Sequence, residues 1–445
     1  MHYVNNTVPA VKYQALWESR DNSTLWMYGG LFVGNSTSDG VSTNDGIWQY
    51  SPGSQTWQMQ QQTLTPHRLV HGGKANAPKI QAAYWVGGYQ ASDTTVSITD
   101  STKNYASGMI QLNTTTGEYV ALSAPFTPVQ EGALAYIPVG EMGILLYVGG
   151  EVPSIQNGIN ATFTQNAWNY VQIYDIAGSK WYNQSTMGTT PSRTQFCASV
   201  QHDEGSSSYE VFILGGADFN SHDVVKDVSY LSIPSFKWYK ASPLNTGRIT
   251  LDCASYGSQI FGVGGRLAWS DDSGAGCYDM PAFIYDAQSQ TVKAEFDPTN
   301  TTYSLTSSTY EDIKKSPYPS SWADPGLRNL FTVDQNSTSS TNSTASENDN
   351  SHSSNKGAIA GGVVGGLVGL ALVIALIYYA RQYARKKRVE SKYLKPPPRT
   401  QIGELEDSIK RSELGTKTNT RTELDERFVE RYELQENHVR RYELL

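Results

Sequence analysis

The chain has 445 residues, a formal charge of −8 and a composition rich in Gly (39) and Tyr (28). That length exceeds one small domain, and the acidic balance argues against nucleic acid as a partner. The charge is unevenly divided: residues 381–445 carry 16 Lys/Arg against 12 Asp/Glu, a surplus of 4, which leaves −12 on residues 1–380.

At the N-terminus, Met1-His2-Tyr3-Val4-Asn5-Asn6 offers no basic start, apolar core or small-residue cleavage site, so no signal peptide is legible there. Features further along require delivery to the secretory pathway. The expectation is therefore a signal peptide and at least one more repeat unit upstream of Met1, in an N-terminally truncated gene product.

From about residue 13 to 295, short apolar runs end in Gly-Gly five times. They are Trp26-Met27-Tyr28-Gly29-Gly30, Tyr84-Trp85-Val86-Gly87-Gly88, Leu146-Tyr147-Val148-Gly149-Gly150, Phe212-Ile213-Leu214-Gly215-Gly216 and Gly262-Val263-Gly264-Gly265. Successive pairs lie 58, 62, 66 and 49 residues apart. After each pair comes a polar loop, a strand that often ends in an aromatic, and a turn often followed by Trp. Tyr50 with Trp57, Tyr174 with Trp181, and Tyr230 with Trp238 follow that order. The second unit has Gly117-Glu118-Tyr119 instead, and the fifth has Tyr285 before Val292.

The pattern predicts β-strands, with each Gly-Gly ending an inner strand where the backbone needs positive φ or a close approach. Tyr and Trp are plates suited to packing between adjacent sheets. One four-stranded sheet cannot bury both faces alone, so the units must stack about an axis. This repeat resembles the kelch repeat, one blade of a β-propeller. The resemblance implies an all-β fold, a kelch-type β-propeller with five recognisable blades in this chain and roughly six or seven in a complete one. The propeller ectodomain is assigned to residues 1–333. Its last part, 296–333, lacks the Gly-Gly mark and is expected to wrap the propeller or to complete a blade begun by the N-terminal strand.

Residues 334–356 are rich in Ser, Thr and Asn and read as an extended, disordered stalk. Residues 357–380 contain no charge, enough for one transmembrane helix across a ~30 Å hydrocarbon core. Arg381, Arg385, Lys386, Lys387 and Arg388 follow at once, which places the N-terminus outside. The basic stretch is suited to anionic inner-leaflet lipids. Glycines 357, 361, 365 and 369 make overlapping small-xxx-small spacings that suit a homodimer through the span.

The cytoplasmic tail, 381–445, is read as disordered and repeats Arg-x-Glu-Leu every ten residues, at Arg411, Arg421, Arg431 and Arg441. Its end, Tyr442 to Leu445, matches the tyrosine-x-x-bulky-hydrophobic pattern of endocytic sorting signals.

Nine Asn-x-Ser/Thr sequons begin at Asn5, Asn22, Asn35, Asn113, Asn160, Asn183, Asn300, Asn336 and Asn342, all before the span. That one-sided distribution supports a lumenal, glycosylated side. Cys253 and Cys277 fall in one predicted blade and suit a disulfide, while Cys197 reads as a buried free thiol.

Chemistry is scarce. Kelch propellers include copper radical oxidases, which need two His and two Tyr around the metal. Here the His residues are at 2, 67, 71, 202, 222, 352 and 438, so the late blades lack an imidazole. His67 and His71 read as surface or interblade residues. Ser270-Asp271-Asp272-Ser273-Gly274 is a loose, single resemblance to the sialidase Asp box. No nucleophile elbow, phosphate loop or zinc spacing is present. Catalytic, cofactor and metal residues are therefore assigned to none, and no cofactor is expected.

The arrangement of repeat, stalk and span resembles the kelch-repeat type I membrane proteins of filamentous fungi. The resemblance implies a non-enzymatic propeller at the plasma or secretory-pathway membrane, binding an extracellular protein or glycan and coupling it to the tail. Alternatives are a membrane-anchored carbohydrate-active enzyme and a cargo or sorting receptor. Trp269, Asp271 and Asp272 leave the blade pattern and are candidate loop contacts.

Overall fold

Each Gly-Gly pair closes the second strand of a four-stranded antiparallel sheet, five times over. A computed structural model describes residues 11–32, 47–60, 68–95, 97–124, 127–269 and 281–332. The first sheet comprises Ala15–Glu18, Leu25–Tyr28, Ile47–Ser51 and Thr56–Gln60. The second comprises Gly73–Ala77, Ala82–Val86, Gly108–Asn113 and Tyr119–Ser123. Blade three has Ala133–Ile137, Ile144–Val148, Tyr170–Asp175 and Lys180–Ser185. Blade four has Cys197–Asp203, Ser208–Leu214, Val228–Ile233 and Lys237–Ala241. Blade five has Ile249–Tyr256, Gln259–Arg266, Ala282–Asp286 and Thr291–Lys293. This all-β arrangement is consistent with a kelch β-propeller.

The first strands of successive blades pack side by side, so they, and not the Gly-Gly strands, lie innermost. Lys74, on the first strand of blade two, shows that these strands curve about one axis. Its ammonium donates to the Gln14 carbonyl at the foot of blade one (2.9 Å) and pairs with Asp252 of blade five (2.6 Å).

Blade packing follows strand parity, because successive side chains point to opposite faces. In Ile144–Val148, every residue is buried. Ile144, Leu146 and Val148 face Val211, Ile213 and Leu231 of blade four, whereas Leu145 and Tyr147 face Tyr84 and Val86 of blade two. A strand buried on both faces reads as a continuous apolar run, which is why the residues before each Gly-Gly lack alternation. Each such aliphatic side chain contributes about 1.5–3 kcal/mol by burial.

Cross-strand register confirms Tyr50 opposite Trp57 and Tyr174 opposite Trp181, ring centres 5.0 Å apart in both pairs. Blade four is out of phase: Tyr230 faces Tyr239, and Trp238 sits opposite Leu231. One residue of shift reverses the face, so Trp238 packs on Trp168 of blade three. Tyr285 faces Val292 and donates its hydroxyl to the Ser242 carbonyl.

The expected disulfide is corrected. Cys253 bonds to Cys197, and Cys277 lies outside the described residues. Both bonded cysteines sit on innermost strands of adjacent blades, Cα atoms 5.5 Å apart, where sequence distance is large but the propeller makes them neighbours.

Residues after blade five wrap the outer edge and add no strand to a sheet. Tyr303 bridges to Asp203, and helix α1 (Ser307–Lys315) is capped by the Thr306 hydroxyl. Asp312 on α1 accepts from Lys237 (2.5 Å) and Tyr239 (2.7 Å), tying it to blade four. Helix α2 (Pro325–Thr332) buries Leu327 in the core between blades three and four, and Trp322 and Phe331 pack on Phe236. The stalk, residues 357–380, the tail with Tyr442 and Leu445, and Asn5, Asn35, Asn336 and Asn342 lie outside the described residues. Among the described residues no helix is long and apolar enough to cross a membrane.

Two predictions follow from this packing. A Cβ on Gly215 would stand 2.5 Å from the Arg248 carbonyl oxygen, whereas one on Gly264 meets no described atom within 4 Å. Both glycines have positive φ, 63° and 71°. Chemical denaturation should therefore show Gly264→Ala costing about 1–2 kcal/mol of backbone strain, and Gly215→Ala about 1–3 kcal/mol more.

The second concerns Glu210, whose side chain is fully buried in blade four. Its Oε1 accepts from Ser208 (2.5 Å) and Ser232 (3.3 Å). Burial outweighs those bonds and, with the nearby Asp203 carboxylate, pushes its pKa from 4.5 up to about 8. A raised pKa means that the protonated acid favours the folded state. Its stabilisation is complete below pH 4.5 and is lost as pH rises through about 8. Replacing Glu210 with Gln should flatten the fall in melting temperature across that window; an unchanged slope would assign the fall to other groups.

Candidate functional site

The chain enters each innermost strand through a residue held in the left-handed region: Tyr13, His71, Glu131, Gln195 and Thr250, with φ of 62°, 61°, 57°, 58° and 55°. Each stands two residues before the same point of its blade, and Thr250 is β-branched, for which this conformation is costly. The backbone geometry links neighbours around the axis. Glu131 N–H donates to the His71 carbonyl (2.8 Å), Gln195 N–H to the Glu131 carbonyl (3.0 Å) and Thr250 N–H to the Gln195 carbonyl (2.8 Å). Five blades thus deliver one side chain each to the mouth of the axis.

The Gly-Gly pairs position this ring. The second glycine of a blade donates its N–H to the carbonyl two residues before the next blade's ring residue. Gly30 reaches Leu69 (2.8 Å), Gly88 reaches Val129 (2.7 Å), Gly150 reaches Arg193 (3.5 Å) and Gly216 reaches Arg248 (2.8 Å). The residue after each pair then pairs with the lead-in of its own blade. Leu31 lies opposite Lys12, Tyr89 opposite Val70, Glu151 opposite Gln130, Ala217 opposite Thr194, and Arg266 opposite Ile249. These residues form a second tier at the same mouth.

The side chains concentrate chemistry on blades one to three. His71 lies between two tyrosine rings, 4.3 Å from Tyr13 and 5.5 Å from Tyr89 between centroids, and its Nδ1 pairs with the Glu131 carboxylate. Tyr89 packs against Tyr105, which meets Phe163, and Lys103 Nζ rests 4.3 Å above the Tyr89 ring. Glu151 is buried and accepts from Gln130 Nε2 at 3.0 Å. Burial raises the Glu151 pKa above the ordinary carboxylate value, and the Glu131 charge adds to the rise. The Gln130 amide, Thr194 and His71 oppose it. Burial first, and then Glu131, likewise holds the Tyr89 hydroxyl in its protonated form.

The blade glycines Gly29, Gly30, Gly87, Gly88, Gly149, Gly150, Gly215, Gly216, Gly264 and Gly265 all have positive φ and line this end of the blades. The paired aromatics lie on the third and fourth strands, away from the innermost ones, and contribute packing. Trp269 stacks on His222 at 4.1 Å, joining loops of blades four and five; Asp271 and Asp272 lie outside the described residues. Asn22, Asn113, Asn160 and Asn183 are exposed. Asn300 differs, because its Nδ2 donates to Ser258 (2.8 Å) and Asp286 (3.1 Å). Among the described residues no group of three or more His, Cys, Asp or Glu is arranged to hold a metal ion.

Sequence reasoning left out Tyr13, Glu131, Glu151, Tyr89 and Gln195, and placed His71 on the surface or between blades. The usable signal was local: each residue that follows Gly-Gly enters the second tier directly. The ring residues precede Gly-Gly by 16 residues in blades one and two but by 18, 20 and 14 in the later blades, which hid their common position.

No protein-family model matches the chain. A kelch repeat-containing protein of Arthroderma benhamiae is 28% identical over 339 residues, which cover 66% of this chain and 48% of that relative. The chain thus spans about half the length of the curated relative it matches. Together with five sheets marked by Gly-Gly, the match supports a kelch-repeat protein, a class suggestive of a protein-interaction module.

Proposed function

We propose that this is a non-enzymatic kelch-repeat binding module, held by residues 357–380 on the outer side of a plasma or secretory-pathway membrane. Its mouth binds an extracellular protein or glycan. One observation carries the reading: three backbone hydrogen bonds link the lead-ins of His71, Glu131, Gln195 and Thr250, and the Tyr13 ring joins them against His71, so that five side chains share one rim. Recognition surfaces are commonly built this way, with variable side chains on a scaffold whose backbone is already satisfied. The nine sequons before residue 357 and the basic cluster after 380 support an N-terminus outside.

The test uses the full chain in detergent micelles, screened on glycan and peptide arrays. Glu131→Ala should weaken captured ligands at least tenfold, as expected for a group at the centre of an interface. Lys240→Ala, an exposed position on the outermost strand of blade four, should leave binding unchanged. Ligands indifferent to Glu131→Ala would place recognition elsewhere and defeat the proposal.

A further inference from the structure

Hydrogen-bonding capacity at the mouth is weighted toward acceptors, with the buried Thr194 hydroxyl as a further donor beside Glu151. Glu131 and Glu151 bring two carboxylates, and Gln130 and Gln195 bring two side-chain carbonyls. Donors reach both carboxylates: His71 Nδ1 on Glu131, and Gln130 Nε2 on Glu151. No described group reaches the amide oxygens. Gln130 is only 7% exposed and Glu151 only 6%. The Oε1 atoms of Gln130 and Gln195 are shut from solvent without a hydrogen-bond partner.

An unpaired buried acceptor costs about 1–3 kcal/mol, and folded proteins hold few of them. Here two occur on consecutive lead-ins, beside two carboxylates. Acceptors cannot satisfy one another, so the group that completes this site must donate. A sugar hydroxyl both donates and accepts. A cation offers donors alone, and adds charge attraction to Glu131 and Glu151 in a site of low polarity. The aromatic wall agrees, since Lys103 already shows an ammonium resting over the Tyr89 ring at 4.3 Å. The want of a metal-holding group among the described residues turns the choice to an organic cation.

We propose that the mouth takes a lysine or arginine side chain presented by a partner protein, its ammonium or guanidinium meeting Glu131 and displacing the cover that shuts Glu151, Gln130 and Gln195 from solvent. The proposal rests on the axial face being the binding surface and names the ligand class for it.

The experiment titrates the full chain in micelles with three short peptides of one sequence, carrying lysine, arginine or Nε-acetyl-lysine at the centre, and with spermidine. The lysine or arginine peptide should bind at least tenfold more tightly than the acetylated one, which changes the charge with little change of stem. That comparison needs no protein variant. Glu151→Gln, close to isosteric, should weaken the basic peptide at least tenfold, whereas Glu204→Gln, on an exposed turn of blade four, should not. Spermidine binding more tightly than either peptide would overturn the partner-protein source.

Equal binding of charged and acetylated peptides, or an unaffected Glu151→Gln, would overturn the proposal. If array ligands depend on Glu131 but carry no basic group, the cation fails and the axial-face reading stands. If array ligands ignore Glu131, both fail.

Discussion

A single hydrogen bond, repeated from blade to blade, governs how this chain is assembled. The N–H of the second glycine in one blade meets the carbonyl leading into the next, at 2.7–2.8 Å for Gly30, Gly88 and Gly216. A side chain at Gly88 or Gly150 would run into the backbone of its own blade's lead-in, so glycine is required by space as well as by φ. Through these contacts the second strand, buried on both faces, fixes where the neighbouring innermost strand begins. The ring of Tyr13, His71, Glu131, Gln195 and Thr250 is a consequence.

Around that joint, other forces act on longer range. Strand parity divides each apolar run between two interblade cores, so neither sheet face is left to a single blade. The Cys197–Cys253 bond joins innermost strands that the hydrogen bonds already place together. Residues 297–332 then clasp the outer edges, with Asp312 holding Lys237 and Tyr239, and Asp324 holding Lys180 at 2.9 Å. Buried Glu210 faces the same region, near Tyr303, and burial raises its pKa.

Much of the fold was legible because glycine and apolar runs report backbone conformation and burial directly. Five Gly-Gly pairs marked five second strands, and two of the Tyr and Trp pairs met across strands as read. Trp238 failed because it stands eight residues after Tyr230, whereas the pairs that meet are seven apart, and that one-residue difference turns it to the other face. The cysteine pairing failed because proximity within one repeat was taken for proximity in space, whereas Cys197 and Cys253 meet across the innermost strands of adjacent blades. The mouth stayed hidden for a related reason. Its residues differ in type from blade to blade and share only a left-handed backbone, which composition does not disclose outside glycine.

The central claim is that the second-glycine amide is a structural joint and not a loop group facing water. Site-resolved hydrogen exchange on the folded chain tests it directly. The amides of Gly88 and Gly216 should exchange as slowly as Leu146 in a core strand, opening only with global unfolding. Exchange of both at the rate of an exposed turn amide such as Gly53, with Leu146 still protected, would contradict it.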